Sequence, residues 1–122
     1  MKQISKSVIK KDHGVKARGS AVYVGDFAQQ DMLHGKLVRS PYAHAKILGI
    51  QIPELPEGYF TVGYRDVPGI NEVHIVKDDT PVFAETAVEY IGDPVLLVVG
   101  PDAQETERTA GTIVVEYEDI PA

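Results

Sequence analysis

The sequence predicts an α+β domain with a mixed sheet and few helices, and three observations support this. Two segments rich in Leu, Val and Ile, residues 32–39 and 45–52, flank the dipeptide Ser40-Pro41. Val95–Val99 is a continuous apolar run, as is typical of a strand covered on both faces. A helical pattern between Gly100 and Thr112 is then followed by residues that alternate with period two.

The first segment differs from the rest in charge. Residues 1–18 hold six basic residues and one acidic residue, whereas residues 19–122 hold six basic and seventeen acidic residues. We interpret residues 1–18 as a basic lead-in arm and residues 19–122 as the domain. Binding of nucleic acid is excluded, because the arm has no aromatic residue to stack on a base and the acidic body would repel phosphates.

The first strands are expected on either side of a corner. Proline lacks the N–H donor that a central strand needs, so Ser40-Pro41 predicts a turn between strands 32–39 and 45–52. The two prolines and the glycine within residues 52–58 predict a turn or a short piece of helix. Residues 59–64 then read as another strand, which ends in a loop at 67–71.

The last third predicts a βαβ unit at about residues 95–118. Asp102 has the character of a helix N-cap, and Glu105 stands at the position of a capping-box acid. The helix would present Ala103, Thr106 and Ala110 on its packed face. The thirteen residues from Gly100 to Thr112 are just enough for a right-handed crossover between parallel strands.

Length and composition describe an ordinary globular domain. The 122 residues are 43% hydrophobic and 25% charged, which suggests one domain with a sizeable core. No apolar run approaches the roughly 20 residues that span a bilayer, and the first residues lack the apolar core of a signal peptide. The absence of cysteine excludes disulfides, thiolate zinc sites and iron–sulfur ligation within this segment. A cytoplasmic location without membrane contact is expected.

Motifs for catalysis, metals and nucleotides are missing. The sequence contains no GxGxxG and no GxxxxGK[ST] nucleotide motif. Asp78-Asp79 with Glu85 lacks the spacing of a calcium loop, so a solvated acidic loop is favoured. Glu116 and Glu118 share one face near the end of a strand and are explained by solubility. The histidines are too far apart for a zinc motif; they are His13, His34, His44 and His74.

The stretch from Leu37 to Ile47, LVRSPYAHAKI, is the strongest candidate for a reactive site. Ser40 and His44 are close in sequence, but a serine before proline, without a GxSxG elbow, is a poor nucleophile. We therefore predict a structural corner, in which Tyr42 and His44 cover the turn and their polar tips bond unpaired backbone groups.

Several segments in sequence order resemble one known domain. The segments are Gly19–Tyr23 with Asp26, Leu33–Ala45, Asp66–Asn71, Pro81–Ala84, Val88–Gly92, Pro94–Val99 and Val115–Glu118 with Pro121-Ala122. Together they resemble the α/β hammerhead domain that opens the molybdopterin-binding subunit of xanthine dehydrogenases and aldehyde oxidases. The resemblance covers about Ser5 to Ala122. Asp93 stands where this family commonly has glutamine, and Leu96 where it has alanine.

The resemblance implies an enzyme of which this chain is one part. Members of the family hydroxylate N-heterocycles or aldehydes with oxygen from water, using molybdopterin, 2Fe-2S clusters and, in most cases, FAD. Their catalytic and pterin-binding residues belong to domains that follow the hammerhead and are absent here. We therefore expect no catalytic, cofactor-binding or metal-binding residue in this segment. Its expected partners are the molybdopterin domains of the same subunit and the iron–sulfur and flavin domains or subunits.

Three hypotheses for the function follow, in order of preference. The first is a structural and docking domain of a xanthine dehydrogenase-like molybdenum hydroxylase, with the segment alone inactive. The second is the same domain in an aldehyde oxidoreductase, a nicotinate dehydrogenase or a carbon monoxide dehydrogenase large subunit. The third, from another class, is a free-standing binding module. The first predicts a large exposed apolar surface and the third predicts none.

Overall fold

The structure, a computed structural model, describes residues 7–74 and 80–121 and divides into two units. The first unit reaches to Gln30 and contains helix α1, His13–Ala17, and a 3₁₀ turn at Val24–Asp26. Helix α1 lies inside the lead-in arm, where no helix was predicted. An ion pair between Asp12 and Lys16 spans its first turn.

The second unit, from Asp31 onward, contains the sheets. Its described elements are β1 (His34–Arg39), β2 (Ala45–Gln51), β3 (Phe60–Val62), a 3₁₀ turn (Tyr64–Asp66), β4 (Ala87–Val88), β5 (Pro94–Gly100), α2 (Ala103–Thr112) and β6 (Val114–Asp119). The strands predicted at 32–39, 45–52, 59–64 and 95–99 are therefore present within a few residues, and the mixed α and β class with few helices is confirmed.

The strands form two antiparallel sheets of three strands each. One sheet has the order β1-β5-β3, and Leu37 pairs with Leu97 in its register. The other has the order β4-β2-β6, in which Ile50 pairs with Val115. The β1–β2 connection at Ser40–His44 is therefore a corner at which the chain leaves one sheet for the other.

The predicted parallel crossover at 95–118 is wrong, although its strand–helix–strand order is correct. β5 and β6 lie in different sheets, and each pairs only with antiparallel neighbours among the residues described. The apolar run in β5 arises because this strand is central and is covered on both faces. Burial on both faces produces a continuous apolar run whatever the direction of the neighbouring strands.

Helix α2 begins as predicted, at an Asp102 side chain that accepts a hydrogen bond from the Glu105 N–H at 2.8 Å. The Glu105 carboxylate contacts Arg108 at 2.9 Å, one turn further on. The packed face differs from the prediction. Thr106, Thr109 and Ala110 are buried, whereas Ala103, beside the N-cap, is exposed.

The core consists of two clusters that meet between the sheets. The first contains Ala45, Ala84, Val88 and Val95, and the second contains Leu96, Val98, Ala110 and Ile113. Ile50 and Val115 contact both clusters. Neighbouring residues on a strand face opposite ways. Val95 therefore packs against β2 and β4 of the second sheet, and Leu96 packs against α2.

Two segments that connect strands, residues 52–58 and the loop at 67–71, are not part of a β-sheet. Residues 52–58 form no helix and end in a turn, in agreement with their proline content. Beyond the loop at 67–71, the Asn71 side chain donates to the Phe83 carbonyl at 2.7 Å and accepts from the Phe83 N–H at 3.0 Å. This two-point contact fixes the loop to the segment that precedes β4.

Candidate docking groove

The corner between β1 and β2 does not contain a catalytic pair. Ser40 is buried, with 2% of its surface exposed, and its hydroxyl contacts the main-chain N–H and carbonyl of Tyr42 at 3.0 Å each. His44 is exposed, and no hydrogen bond joins its imidazole to any described residue. The chain does turn here between two strands, but Ser40 makes the main-chain hydrogen bonds that were assigned to the side chains of Tyr42 and His44.

A buried aspartate supports this corner from the other side. The Ser40 N–H donates to the Asp93 carbonyl at 2.9 Å, and the Gly92 N–H donates to the Ser40 carbonyl at 2.7 Å. The Asp93 carboxylate accepts from the Glu89 N–H at 3.0 Å and is 3% exposed. Arg39 donates to the Gly92 carbonyl at 2.8 Å. Asp93 thus closes the turn before β5 and has a structural role in this chain.

Tyr117 completes the packing of the corner. Its ring lies 5.1 Å from the ring of Tyr42, in a tilted arrangement. Its hydroxyl is buried and has no hydrogen-bond partner among the residues described. Burial raises the pKa of Tyr117 above its ordinary value; the nearby Ser40 hydroxyl opposes this more weakly, and the negative charge of Asp93 adds to it.

The remaining acidic and histidine candidates do not assemble into a site. Among the described residues, no three histidine, aspartate or glutamate side chains are placed to hold a metal ion. Glu116 and Glu118 are exposed on β6, and Glu116 accepts a hydrogen bond from Gln51. Asp78-Asp79 lies outside the described residues. Of the three acidic residues for which a solvated loop was favoured over a calcium site, only Glu85 is described, and it is exposed.

A feature that the sequence did not predict is a groove of about 470 Å³ between the two sheets. We call it the docking groove and define it by its lining residues, which are Ile47–Ile50, Ile52, Thr61, Gly63–Asp66, Glu85, Val95 and Leu96. One wall is β2, the other is β3 with the 3₁₀ turn after it, and the floor is the start of β5. The floor and the β2 wall are mainly apolar.

The rim of the docking groove is charged. Asp66 accepts a hydrogen bond from the Gly63 N–H at 2.8 Å, which fixes the turn after β3. Arg65 donates to the Tyr64 hydroxyl at 2.9 Å and lies 5.5 Å from the centre of that ring. This hydrogen bond raises the pKa of the Arg65 guanidinium, a group that is charged at neutral pH in any environment. With Glu85 opposite, the rim carries two carboxylates and one guanidinium.

Large apolar side chains are exposed along the groove and also in the first unit. Leu48 is 56% exposed and Ile52 is 44% exposed, and both line the groove. Phe60, the first residue of β3, is 46% exposed. In the first unit, Val22, Tyr23, Val24 and Phe27 are each more than half exposed. An apolar surface of this kind is typical of a face that another protein segment covers.

No motif marks the docking groove, but one signal was available in the sequence. Ile47, Leu48, Ile50 and Ile52 do not alternate strictly with polar residues, and the structure explains this by the bulge at Leu48, which allows Ile47 and Ile50 to pack against the same core cluster. A strand with one solvated face would alternate. The signal could not show which face lacks a cover, because that depends on the position of β3 and β5.

Comparison with known proteins identifies the fold and the family. The family model for the "a/b hammerhead domain" of "aldehyde oxidase and xanthine dehydrogenase" matches residues 18–121. The chain belongs to this family. Its hammerhead domain resembles the solved structure of quinoline 2-oxidoreductase from Pseudomonas putida 86, with a TM-score of 0.81 and 30% identity over 99% of this chain and 17% of the other.

Two curated relatives place the hammerhead domain within much longer proteins. A probable xanthine dehydrogenase subunit from Bacillus subtilis is 33% identical over 117 residues, which are 93% of this chain and 16% of that protein. A nicotinate hydroxylase of Emericella nidulans is 41% identical over 112 residues, 87% of this chain and 8% of that protein. This chain thus spans less than a fifth of either relative. Within its described part, no helix is long and apolar enough to cross a membrane.

Proposed function

We propose that this hammerhead domain is the N-terminal structural and docking domain of the molybdopterin-binding subunit of a xanthine dehydrogenase-like molybdenum hydroxylase. In that arrangement residues 1–18 are a basic arm, residues 19–122 are the hammerhead domain, and the molybdopterin domains follow. The observation that carries the proposal is the docking groove with its exposed apolar wall. A free-standing module would leave this surface in water at a cost in free energy.

The chain does not itself fit the cofactors of such an enzyme. It has no cysteine to hold an iron–sulfur cluster, and its described residues contain no group suited to a metal. The corner residues with the strongest chemistry, Ser40 and Asp93, are engaged with the main chain. We therefore assign no catalytic, cofactor-binding or metal-binding role to this segment. Molybdopterin, 2Fe-2S and FAD are assigned to the remainder of the enzyme. The proposed location of the enzyme is the cytoplasm.

The names of the relatives favour an N-heterocycle as the substrate. Xanthine, nicotinate and quinoline are all N-heterocycles, and the enzymes named for them match over most of this chain. We propose purine hydroxylation first. The 41% identity to a nicotinate hydroxylase favours nicotinate as the second candidate.

The test begins with the complete gene that encodes this chain. The expected result is a reading frame that continues into molybdopterin domains, or an adjacent gene that encodes them. The purified enzyme should contain molybdenum and should be reduced by xanthine. Reduction by nicotinate but not by xanthine would select the second candidate. A gene with no molybdopterin domains within it or beside it would contradict the proposal and favour a free-standing module.

A further inference from the structure

We propose that the open edge of β2 in the docking groove receives an extended segment from the remaining part of the same enzyme, which adds to the sheet as a new strand. This inference rests on the proposed function. It goes further because it names the strand edge and the conformation of the segment that occupies it.

The edge of β2 is open for most of its length. β4 pairs only with Ala45 and Lys46, and the Ile47 N–H then donates to the Thr86 carbonyl at 2.8 Å. From Leu48 to Gln51, no described strand pairs with β2 on this side, although β6 continues on the other. An unpaired strand edge presents main-chain donors and acceptors that a further strand can satisfy.

The docking groove runs along this open edge. Leu48 has no partner on β6, because Ile47 pairs with Tyr117 and Gly49 pairs with the adjacent Glu116, so the strand is bulged here, and Leu48, Gly49 and Ile50 all line the groove. A bulge bends the strand and leaves its extra residue unpaired, in this case beside the open edge. Glu85, next to the start of β4, lines the same groove and places it on the β4 side.

The opposite wall belongs to a second edge strand, β3. β3 lies at the end of its sheet and pairs only with β5 among the described strands. Thr61 and Gly63 line the groove on this side. Because Thr61 and Gly63 are two residues apart, the groove contacts one face of β3, next to the free edge of this strand. Leu48–Ile52 spans roughly 17 Å at about 3.3 Å per residue, which is the length of an ordinary strand.

The lining specifies the sequence character of the occupant. Apolar residues should alternate along the segment, because Leu48, Ile50 and Ile52 offer apolar contacts. Lysine or arginine should flank it, because Asp66 and Glu85 outnumber the one guanidinium on the rim. A second copy of this chain is disfavoured, because each copy carries a net charge of −6. More than four fifths of the xanthine dehydrogenase relative lies outside the matched region, so most of such an enzyme is available to supply the segment.

Hydrogen exchange in the complete enzyme tests the added strand. Along β2, amides that donate to β6 are protected within the domain, and amides on the other side of the strand face the groove. With a strand docked, every amide from Leu48 to Gln51 should exchange on the order of 100-fold more slowly than an exposed amide. Fast exchange at the groove-facing amides in a molybdenum-containing, active enzyme would overturn this inference and leave the proposed function intact.

A matched pair of variants tests whether the groove side chains hold the segment. Leu48 is 56% exposed and lines the groove; Leu33 is 54% exposed and does not. In the complete enzyme, Leu48→Glu should speed exchange at the groove-facing β2 amides by about 10-fold or more, whereas Leu33→Glu should leave them unchanged. Equal exchange rates in the two variants would count against docking at this site.

Two further outcomes separate the alternatives. If protection of Leu48–Gln51 disappears when the enzyme is diluted and sedimentation shows subunit dissociation, the edge pairs with a second subunit and the inference is wrong. If the complete protein contains neither molybdenum nor molybdopterin domains, the proposed function fails, and this inference fails with it. The inference is supported if the Leu48–Gln51 amides of a molybdenum enzyme are protected at every protein concentration and if Leu48→Glu, but not Leu33→Glu, removes this protection.

Discussion

The hydrogen bonds of the β1–β2 corner are concentrated on Ser40, and the exposed His44 contributes none from its side chain. Ser40→Ala would leave the Tyr42 N–H without its partner in a part-buried place. We expect this to lower the free energy of unfolding by about 1–3 kcal/mol. His44→Ala should change it by less than about 0.5 kcal/mol. Urea denaturation of both variants measures the difference, and similar losses for the two would contradict this assignment.

The buried hydroxyl of Tyr117 is a second test at the residue scale. It lacks a described partner, so Tyr117→Phe should leave the free energy of unfolding unchanged or raise it by up to about 1 kcal/mol at pH 7. The pKa of Tyr117 is raised in the folded chain, mainly by burial, above the ordinary value of 10.0. The unfolded chain therefore loses this proton first.

This difference sets the direction of the pH effect. The folded state binds the Tyr117 proton more tightly, so stability falls as the pH rises above the ordinary pKa of 10.0. Tyr117→Phe should remove that part of the alkaline loss. Denaturation of both proteins at pH 7 and at about pH 11 measures it. A variant that is less stable at pH 7 by more than about 1 kcal/mol would show that the hydroxyl makes a useful hydrogen bond.

At the scale of elements, the close approach between β5 and the segment before β3 depends on one glycine. A Cβ atom added to Gly100 would lie 2.1 Å from a carbon of the Tyr59 ring, far inside van der Waals contact. Gly100→Ala must therefore displace the ring or the strand, and we expect a loss of about 1–3 kcal/mol.

A second glycine provides the control. Gly111 lies in α2, and a Cβ there would meet nothing within 4 Å. Gly111→Ala should raise the free energy of unfolding by roughly 0.5–1 kcal/mol, because alanine is the better helix former. Thermal and urea denaturation of the two variants should give opposite signs. A stable Gly100→Ala protein would show that Tyr59 can move away at little cost.

At the scale of the whole molecule, the domain is a scaffold without a reaction centre of its own in the proposed function. The chain expressed without the rest of the enzyme should show no visible absorbance and no stoichiometric molybdenum. The reason is that it has no cysteine for a cluster and offers no metal group among its described residues. Absorption spectroscopy and elemental analysis measure both. One molybdenum atom per chain would contradict the assignment of the cofactor to other domains.

The sequence alone determined most of the elements, though not α1 or β4, and it determined the family. The apolar runs predicted four of the strands, Asp102 predicted the start of α2, and Ser40-Pro41 predicted the corner. These signals are local: they depend on the period of the apolar residues, on a side chain that caps a helix, and on the missing N–H of proline. The ordered segments that resemble the hammerhead domain gave the family, which the comparisons confirm.

Only the tertiary structure decided how the strands pair and where surface is left uncovered. The apolar run at Val95–Val99 indicates that both faces of the strand are buried, but it does not indicate the direction of the neighbouring strands. The predicted parallel crossover was therefore wrong. Ser40, and not His44, bonds the corner because Ser40 is buried and its N–H donates to the carbonyl of Asp93, which is distant in sequence. The docking groove exists because β4 stops after two residues while β2 continues. Pairing and cover are relations between distant segments, and a local pattern does not contain them.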